Sequence, residues 1–126
     1  MSNEQKSDDD EVRTVVESYF TAIHEGDIDR LKEVFEPTAT LIGWDEGELR
    51  RVNLDQWFEF VKSIPSPASE GVIQDGKIVW LDVTGTAAVA KVTETYRMFK
   101  YVDYLTLLKI GDQWRVVGKC YHQYER

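Results

Sequence analysis

The chain has 126 residues, and its 23 Asp and Glu outnumber its 15 Lys and Arg, which gives a formal net charge of −8. Hydrophobic residues make up 42% and charged residues 30%, as in an ordinary globular domain with a core of its own. The acidic balance argues against a nucleic-acid partner, because contacts with phosphates need clustered Lys and Arg. No apolar run approaches the ~20 residues that cross a bilayer, so we expect no membrane partner either.

The sequence carries no motif for a cofactor or a metal. It has no Gly-rich phosphate loop and no Cys/His spacing of a zinc site, so we predict no cofactor and no metal. The single cysteine, Cys120, cannot form an internal disulfide, and the N-terminus lacks the basic and apolar segments of a secretory signal. We therefore expect a cytoplasmic protein.

The chain begins with a polar stretch that has no apolar periodicity. Residues 1–8 are expected to form a disordered acidic tail, and residues 9–126 a single domain. Within that domain, apolar residues recur at helical spacing from Val12 to Ile23, and Gly26 is placed to end the helix.

A second, shorter helix is predicted next, with Asp27 as N-cap, Phe35 on its apolar side and Pro37 as its stop. Residues 38–44 are predicted to form a strand, and residues 45–51 an exposed, charged loop.

A third helix is predicted to open at Asn53, which is followed by Gln56 at the spacing of a capping box. Its apolar face runs to Ile64.

The second half of the chain has the pattern of a long antiparallel meander. Strand-forming residues fill 72–83, 86–99 and 101–122, and the last of these segments folds back at Gly111–Asp112 as a hairpin. Three helices followed by a meander predict an α+β fold in which the helices cover one face of a curved antiparallel sheet.

The predicted register assembles a polar group at the open end of one sheet face. If Ile110 faces Gln113, then Asp103 faces Cys120 and Tyr101 faces His122. If Met98 faces Tyr101, then Tyr96 lies opposite Asp103, and Glu94 shares the same face. A bulge in a long curved strand would move some residues to the other face. A carboxylate and an imidazole at the edge of an apolar surface indicate a pocket.

At this point the chain resembles a known superfamily, the nuclear transport factor 2-like cone that ketosteroid isomerases, scytalone dehydratase and SnoaL-type cyclases share. The stretches YFTAIHEGDIDRLKEVFEPTATL, GTAAVAKV and VDYLTLLKIGDQWRVVGKCY resemble the small bacterial branch labelled "putative lumazine-binding". The resemblance covers Val12 to Tyr121 and implies a cone-shaped fold. It bears little on chemistry, because one fold hosts many sites.

Asp103 is the candidate catalytic residue, because the resemblance places it on a central strand near the acid that contacts substrate in isomerase-like members. An apolar pocket would raise its pKa toward neutrality and suit it to proton transfer. His122 is the second catalytic candidate, as its partner in an Asp–His pair. The alternatives are a structural carboxylate bonded to Tyr96 or Tyr101, and a histidine frayed near the chain end.

Other side chains are predicted to line the cone and to contact a small, flat, apolar or aromatic ligand. The alternative for each aromatic residue is a place in the core, and a slip in register would put Glu94 in solvent. The ligand-binding candidates are Tyr19, Trp44, Trp57, Phe60, Glu94, Tyr96 and Tyr101.

The opposite sheet face is too aromatic to lie wholly in water, so we expect a homodimer formed through it. Its predicted members include Trp80, Val89, Tyr104 and Val117, and contact with the second copy would also account for Lys119.

Three functions remain open from the sequence. The first is a small-molecule-binding protein with an apolar cone-shaped pocket. The second is an isomerase, dehydratase or cyclase that uses Asp103 for proton transfer, and the third is a dimerisation module without ligand.

Overall fold

The computed structural model describes residues 7–124 and contains one six-stranded sheet with helices packed on its concave face. The strand order is β2-β1-β6-β5-β4-β3. The predicted α+β fold class is confirmed, with one difference. The sheet is mixed and not wholly antiparallel, because β1 runs parallel to β6 and every other neighbouring pair is antiparallel.

Helix α1 (Asp8–Glu25) is held at both ends by local contacts. The Ser7 side chain accepts a hydrogen bond from the backbone N–H of Asp10, and Gly26 ends the helix with a positive φ of 68°. The tail predicted for residues 1–8 is therefore wrong at its last two positions, because Ser7 caps the helix and Asp8 is its first residue. The rest of that tail lies outside the described residues.

Helix α2 (Ile28–Val34) is capped by Asp27, as expected, but it ends before Phe35, which the sequence placed on its apolar side. Strand β1 (Phe35–Asp45) starts at once, with Phe35 fully buried and Pro37 inside it at an exposed position. Pro37 is therefore not a stop between helix and strand. It lies in the segment between Phe35 and Thr40 where the pairing of β1 with β6 is irregular, so the lack of a backbone donor costs little there.

The charged segment after β1 is not a loop, as the sequence suggested, but strand β2 (Glu48–Asn53) at the edge of the sheet. It pairs only with β1, and five of its six residues are exposed. Charged side chains on an edge strand discourage pairing with another chain, so they are compatible with a strand here.

Helix α3 (Leu54–Lys62) opens with the predicted capping box, since Asn53 and Gln56 each accept a hydrogen bond from the other's backbone N–H. It buries Leu54, Phe58 and Val61. A single 3₁₀ turn (Ala68–Glu70) follows before the meander.

The meander consists of β3 (Lys77–Thr84), β4 (Ala87–Tyr96), β5 (Phe99–Ile110) and β6 (Gln113–Tyr124). The hairpin at Gly111–Asp112 forms as predicted. The turn between β4 and β5 lies at Arg97–Met98 and not near Phe99, so Tyr96 faces Phe99 and Val92 faces Asp103. Each residue of β4 and β5 still lies on its predicted face of the sheet, because the shift moves its cross-strand partner by an even number of positions.

A bulge in β6 changes the faces of its second half. Thr106 pairs with Gly118 and Leu107 with Val116, which leaves Val117 without a partner on β5. Beyond the bulge, Asp103 faces Tyr121 and not Cys120 as predicted. Bulges increase the local twist and bend a strand, which suits a sheet that curves around a helix.

The core lies between the concave face of the sheet and the helices. Its central residues in α1 are fully buried, and those of the sheet include Ala90, Val92, Leu105 and Val116. Within residues 7–124, no helix is long and apolar enough to cross a membrane.

Candidate functional site

A cavity of about 390 Å³ opens between the concave sheet face and helices α1 and α3. At its inner end the side chains are buried or nearly so, and they belong to Tyr19, Leu41, Glu94 and Lys119. Its mouth is formed by exposed or half-buried residues, which include Asp45, Glu46, Arg50, Gln56, Phe60, Arg97 and Gln123. The entrance of the cavity is therefore exposed to solvent, and its floor is buried.

The floor is organised around the hydroxyl of Tyr19, a fully buried residue of α1. Its oxygen lies 2.7 Å from Nζ of Lys119, 2.9 Å from Oδ2 of Asp103 and 3.1 Å from Oε2 of Glu94. Lys119 also lies 3.7 Å from Asp103, as a buried ion pair. Strands β4, β5 and β6 each contribute one charged side chain to this cluster, and α1 contributes the phenol.

Proton counting assigns charges to this cluster. The Tyr19 hydroxyl makes three contacts, and since it can donate only one hydrogen bond, it must accept the other two. Lys119 is one of the two donors to it. The remaining donor must be a protonated carboxyl group. Burial, and next the negative charge of Asp103, raise the pKa of Glu94 well above its usual range, which favours the protonated form of Glu94. A protonated Glu94 can share its proton with Tyr19 or with the neighbouring Asp103 carboxyl group, and Tyr19 donates to Oδ2 of Asp103.

When Glu94 is protonated, the Lys119–Asp103 ion pair leaves the cluster without a net charge. A buried ion pair needs further hydrogen bonds to offset its desolvation, and Tyr19 supplies one to each partner. Burial, and then the two neighbouring acids, also raise the pKa of Tyr19 well above its ordinary value, so the phenol stays protonated.

Lys119 is surrounded by aromatic rings. Its Nζ lies 4.9 Å from the centre of the Trp57 ring, 5.3 Å from that of Tyr19 and 5.6 Å from that of Tyr121. Ring faces attract cations, so these contacts fix the ammonium at the floor. Only one of its three protons is used by Tyr19, and Lys119 lines the cavity.

Two buried carboxyl oxygens, Oε1 of Glu94 and Oδ1 of Asp103, have no hydrogen-bond partner within residues 7–124. Glu94 is part of the cavity wall, whereas Asp103 is not and is 0% exposed. A molecule in the cavity can therefore reach Glu94 but meets Asp103 only through Tyr19 and Lys119.

At the mouth, a second network ties β1 to β6. The Tyr121 hydroxyl donates to Oδ2 of Asp45 at 2.8 Å, and Arg50 contacts Oδ1 of the same carboxylate at 2.7 Å. Gly43 is required beside it, because a Cβ on Gly43 would lie 2.5 Å from the Tyr121 carbonyl oxygen and 2.6 Å from its ring. The Tyr121 ring thus closes one side of the cavity.

Six of the seven predicted ligand-binding residues line the cavity. They are Tyr19, Trp57, Phe60, Glu94, Tyr96 and Tyr101. Trp44 does not: it is 57% exposed on the convex face and pairs with His122 across β1 and β6. The catalytic pairing of Asp103 with His122 is not formed either, because the bulge at Val117 turns His122 outward, where it is exposed beside Tyr124.

Asp103 itself lies on the predicted face but behind Tyr19, and its tyrosine partner is Tyr19 and not Tyr96 as the sequence suggested. The same bulge brings into the cavity Lys119, which the sequence placed on the outer face, and Tyr121. One sequence signal could have located them, since an isolated glycine such as Gly118 inside a strand pattern is typical of a bulge.

No three His, Cys, Asp or Glu side chains of the described segment come together as metal ligands. The chemistry available at the floor is that of hydrogen bonding and proton transfer. The Lys119 ammonium and the Glu94 carboxyl group can both donate to an acceptor oxygen, and Glu94 can also exchange its proton.

Comparison with known proteins gives a family and a fold. The family model described as "Putative lumazine-binding" matches residues 7–122. A curated relative, the aldolase FrzH of Cladobotryum sp, is 29% identical over 122 residues, which cover 95% of this chain and 94% of that protein.

Solved structures agree with the fold. A nuclear transport factor 2-like protein of unknown function from Silicibacter pomeroyi superimposes with a TM-score of 0.84 at 25% identity, over 91% of this chain and 94% of that one. A second, from Shewanella baltica, has a TM-score of 0.80 at 25% identity, over 97% and 100% of the two chains. A ketosteroid isomerase-like protein from Erwinia carotovora atroseptica has a TM-score of 0.70 at 18% identity, over 99% and 100%.

Proposed function

Because the chain belongs to the family described as "Putative lumazine-binding", within the nuclear transport factor 2-like superfamily, we propose that its cone-shaped cavity binds a small organic molecule. The ligand is flat, largely apolar, and carries a carbonyl or similar acceptor oxygen that reaches the floor. Its ring body lies among the aromatic residues of the wall, and its oxygen accepts hydrogen bonds from Lys119 and Glu94.

The observation that carries this proposal is the buried polar cluster at the floor of a cavity whose middle is lined by aromatic and aliphatic side chains. Lys119, which is only 10% exposed, keeps donors available after its contact with Tyr19. Oε1 of Glu94 is buried without a partner. Unpaired polar groups are costly to bury, so a ligand that pairs with them gains more free energy than one that only fills space.

The size of the cavity supports the same function. Pockets for small molecules measure about 300 to 1,000 Å³ and combine apolar walls with a few convergent polar groups. At about 390 Å³ this cavity holds a compact, one- to three-ring compound. Trp57 and Tyr121 contribute aromatic surface to the wall, against which a flat molecule can pack.

Titration of the protein with lumazine, a flat bicycle with two carbonyl groups, tests this function directly. We expect saturable binding by calorimetry. We also expect Lys119→Met, which keeps the length of the side chain but removes its donors, to weaken binding about tenfold or more. Lys62→Met, an exposed lysine on α3, is the matched control and should bind like the wild type. Equal affinities of wild type and Lys119→Met would refute the floor as the site of recognition.

The second candidate function is proton transfer beside a carbonyl group, the step used by isomerases, dehydratases, cyclases and aldolases that act through an enolate. It is favoured by the raised pKa of Glu94, since a protonated buried acid beside an ammonium can protonate or stabilise an enolate. The name of the relative FrzH, an aldolase, points the same way. Glu94 replaces Asp103 as the residue in contact with substrate, and Asp103 becomes a positioning residue.

A fluorogenic β-hydroxy ketone that releases 6-methoxy-2-naphthaldehyde on retro-aldol cleavage tests the enzymatic candidate. Glu94→Gln should abolish turnover, because the amide keeps the shape but cannot transfer a proton. Glu59→Gln, the same substitution at an exposed glutamate of α3 that does not line the cavity, should retain it. Turnover by Glu94→Gln at the wild-type rate would exclude Glu94 as the proton donor.

The convex face of the sheet supports a homodimer. Large apolar side chains are exposed across it, with Trp80 at 44%, Tyr104 at 40% and Trp44 at 57% of their free area. Aromatic patches of this kind are typical of protein interfaces, and two-fold pairing of identical faces is the commonest arrangement. Trp44 and His122, which are not part of the cavity, would then lie at the dimer contact.

A further inference from the structure

Arg97 occupies a distinctive position at the mouth of the cavity. It forms the β4–β5 turn together with Met98, and both residues have positive φ, 52° and 74°. Two-residue turns of this kind favour Gly, Asn or Asp, which adopt positive φ at little cost. Arg97 lines the cavity, and its guanidinium carbon lies 5.3 Å from the ring centre of Phe60.

The other cations of the cavity wall already have carboxylate partners. Arg50 contacts Asp45 at 2.7 Å, and Lys119 lies 3.7 Å from Asp103. Arg97 forms no ion pair within residues 7–124. Its guanidinium therefore has its planar set of donors available at the point where a ligand enters, held there by the Phe60 ring.

We infer that Arg97 binds an anionic group of the ligand, a carboxylate or sulfonate, at the mouth of the cavity. This inference rests on the proposed binding function and narrows its ligand class to acidic ring compounds. The two ends of the ligand are recognised separately. Its acceptor oxygen meets Lys119 and Glu94 at the floor, and its anionic group pairs with Arg97 in the bidentate geometry that guanidinium groups favour.

The acidic side chains of the mouth determine on which side the anionic group of the ligand binds. Asp45 and Glu46 lie at the β1–β2 turn, which β6 and β5 separate from β4 in the sheet. Measured along the sheet, three strand spacings, on the order of 14 Å, separate β1 from β4. Asp45 is also neutralised by Arg50. An anion therefore binds on the Arg97 side and is repelled from the Glu46 side.

The net charge of −8 makes this preference diagnostic. The long-range field of an acidic protein repels anions, so a nonspecific surface would favour neutral compounds. Preferential binding of an anion has to come from a local cation. Added salt should weaken the preference, because the mouth is open to solvent.

Two fluorescent probes with the same ring system separate charge from shape. 1-Anilinonaphthalene-8-sulfonate is anionic, and N-phenyl-1-naphthylamine is its neutral counterpart. We expect the wild type to bind the anionic probe about tenfold more tightly. Arg97→Gln should remove that preference by lowering the affinity for the anionic probe alone. Lys100→Gln removes an exposed cation three residues away that does not line the cavity, so it should leave both affinities unchanged.

The NMR resonance of the Trp57 indole N–H reports whether either probe occupies the cavity, because Trp57 lines it. The resonance is assigned by its loss in Trp57→Phe, and this readout is independent of the affinities measured for Arg97→Gln and Lys100→Gln. If both probes shift this resonance with equal affinity, or if Arg97→Gln weakens both alike, the anion site is refuted while the cavity function stands. If the probes bind and shift only the indoles of Trp44 or Trp80, or if neither binds, both the anion site and the cavity function fail.

Discussion

Tyr19 and Glu94 lie 75 positions apart in the chain, and the hydroxyl oxygen of one is 3.1 Å from Oε2 of the other. This contact joins the first helix to β4 at the floor of the cavity. It also connects a group that a ligand can reach to the fully buried Asp103, which shares the same hydroxyl. Binding at the floor is therefore coupled to the charges that hold the helix on the sheet.

The first prediction concerns pH and Glu94. In the unfolded chain its carboxyl group has a pKa of about 4.3, whereas burial raises its pKa in the folded protein well above that value. Between the two values the native state binds one more proton than the unfolded state. Its free energy of unfolding therefore falls as pH rises, by at most about 1.4 kcal/mol per pH unit.

Glu94→Gln lacks this titration, so its stability relative to the wild type should increase from pH 5 to pH 7. Urea unfolding of both proteins at several pH values measures the difference. Parallel stability curves would show that Glu94 ionises in the folded protein as it does in water.

The second prediction is that Asp103→Asn lowers the pKa of Glu94. The charge of Asp103 is the second cause of the raised pKa, after burial, and its removal also leaves Lys119 in need of a negative partner. Carbon-13 titration of the glutamate carboxyl groups follows the change. Asp82→Asn, an exposed carboxylate on β3, should leave the Glu94 titration where it is. An unchanged pKa in Asp103→Asn would break the proposed charge assignment of the cluster.

The third prediction is that Tyr104→Glu converts a dimer into a monomer. A carboxylate at the centre of the convex face would be buried without a partner in the dimer but solvated in the monomer. Sedimentation equilibrium at micromolar concentration measures the mass. Arg13→Glu, on the exposed side of α1, should remain dimeric. A wild type that sediments as a monomer would remove the dimer from the proposal altogether.

The fourth prediction concerns the start of α1. Ser7→Ala should lower the free energy of unfolding by about 1 kcal/mol, as the loss of an N-cap usually does.

Asp8 accepts hydrogen bonds from Lys109 and Trp114, each at 3.2 Å, and these contacts lower its pKa. A carboxyl group whose pKa is lowered by folding stabilises the folded protein at every pH above the pKa of the unfolded chain. This stabilisation is lost as the pH falls through the pKa of the folded protein.

Asp8→Asn should therefore lower the thermal midpoint at pH 7 and have little effect at pH 2. A pH-independent difference between Asp8→Asn and the wild type would assign the effect to shape and not to charge.

The parts of the fold that follow from neighbouring residues could be predicted from the sequence. The turn at Gly111–Asp112, the capping box of Asn53 and the end of α1 at Gly26 all depend on side chains within a few positions of each other. Strand β2 gave no such signal, because an edge strand with two exposed faces needs no apolar alternation. The turn at Arg97–Met98 gave none either, since it lacks the usual turn residues.

The site was predicted in part for the same reason. Tyr19, Trp57 and Glu94 were found because apolar periodicity and alternation assign a face without knowledge of register. Lys119 and His122 were placed on the wrong faces, because their orientation depends on one unpaired residue in β6. The position of that bulge follows from how the whole sheet curves, which no local pattern records.

Val117 is the one residue of β6 that the ladder with β5 leaves out, and the faces of the strand beyond it depend on that. If β6 kept all its residues but paired without the bulge, its C-terminal half would shift by one position and every side chain there would change sides. Lys119, Tyr121 and Gln123 would turn toward the convex face, and Cys120 and His122 would face the cavity. A change of register, with no residue substituted, would exchange an ammonium and a phenol for a thiol and an imidazole. Deleting Val117 would instead leave Gly118 opposite Thr106 and Lys119 opposite Leu105, so the cavity would keep its polar groups while the strand lost its bend.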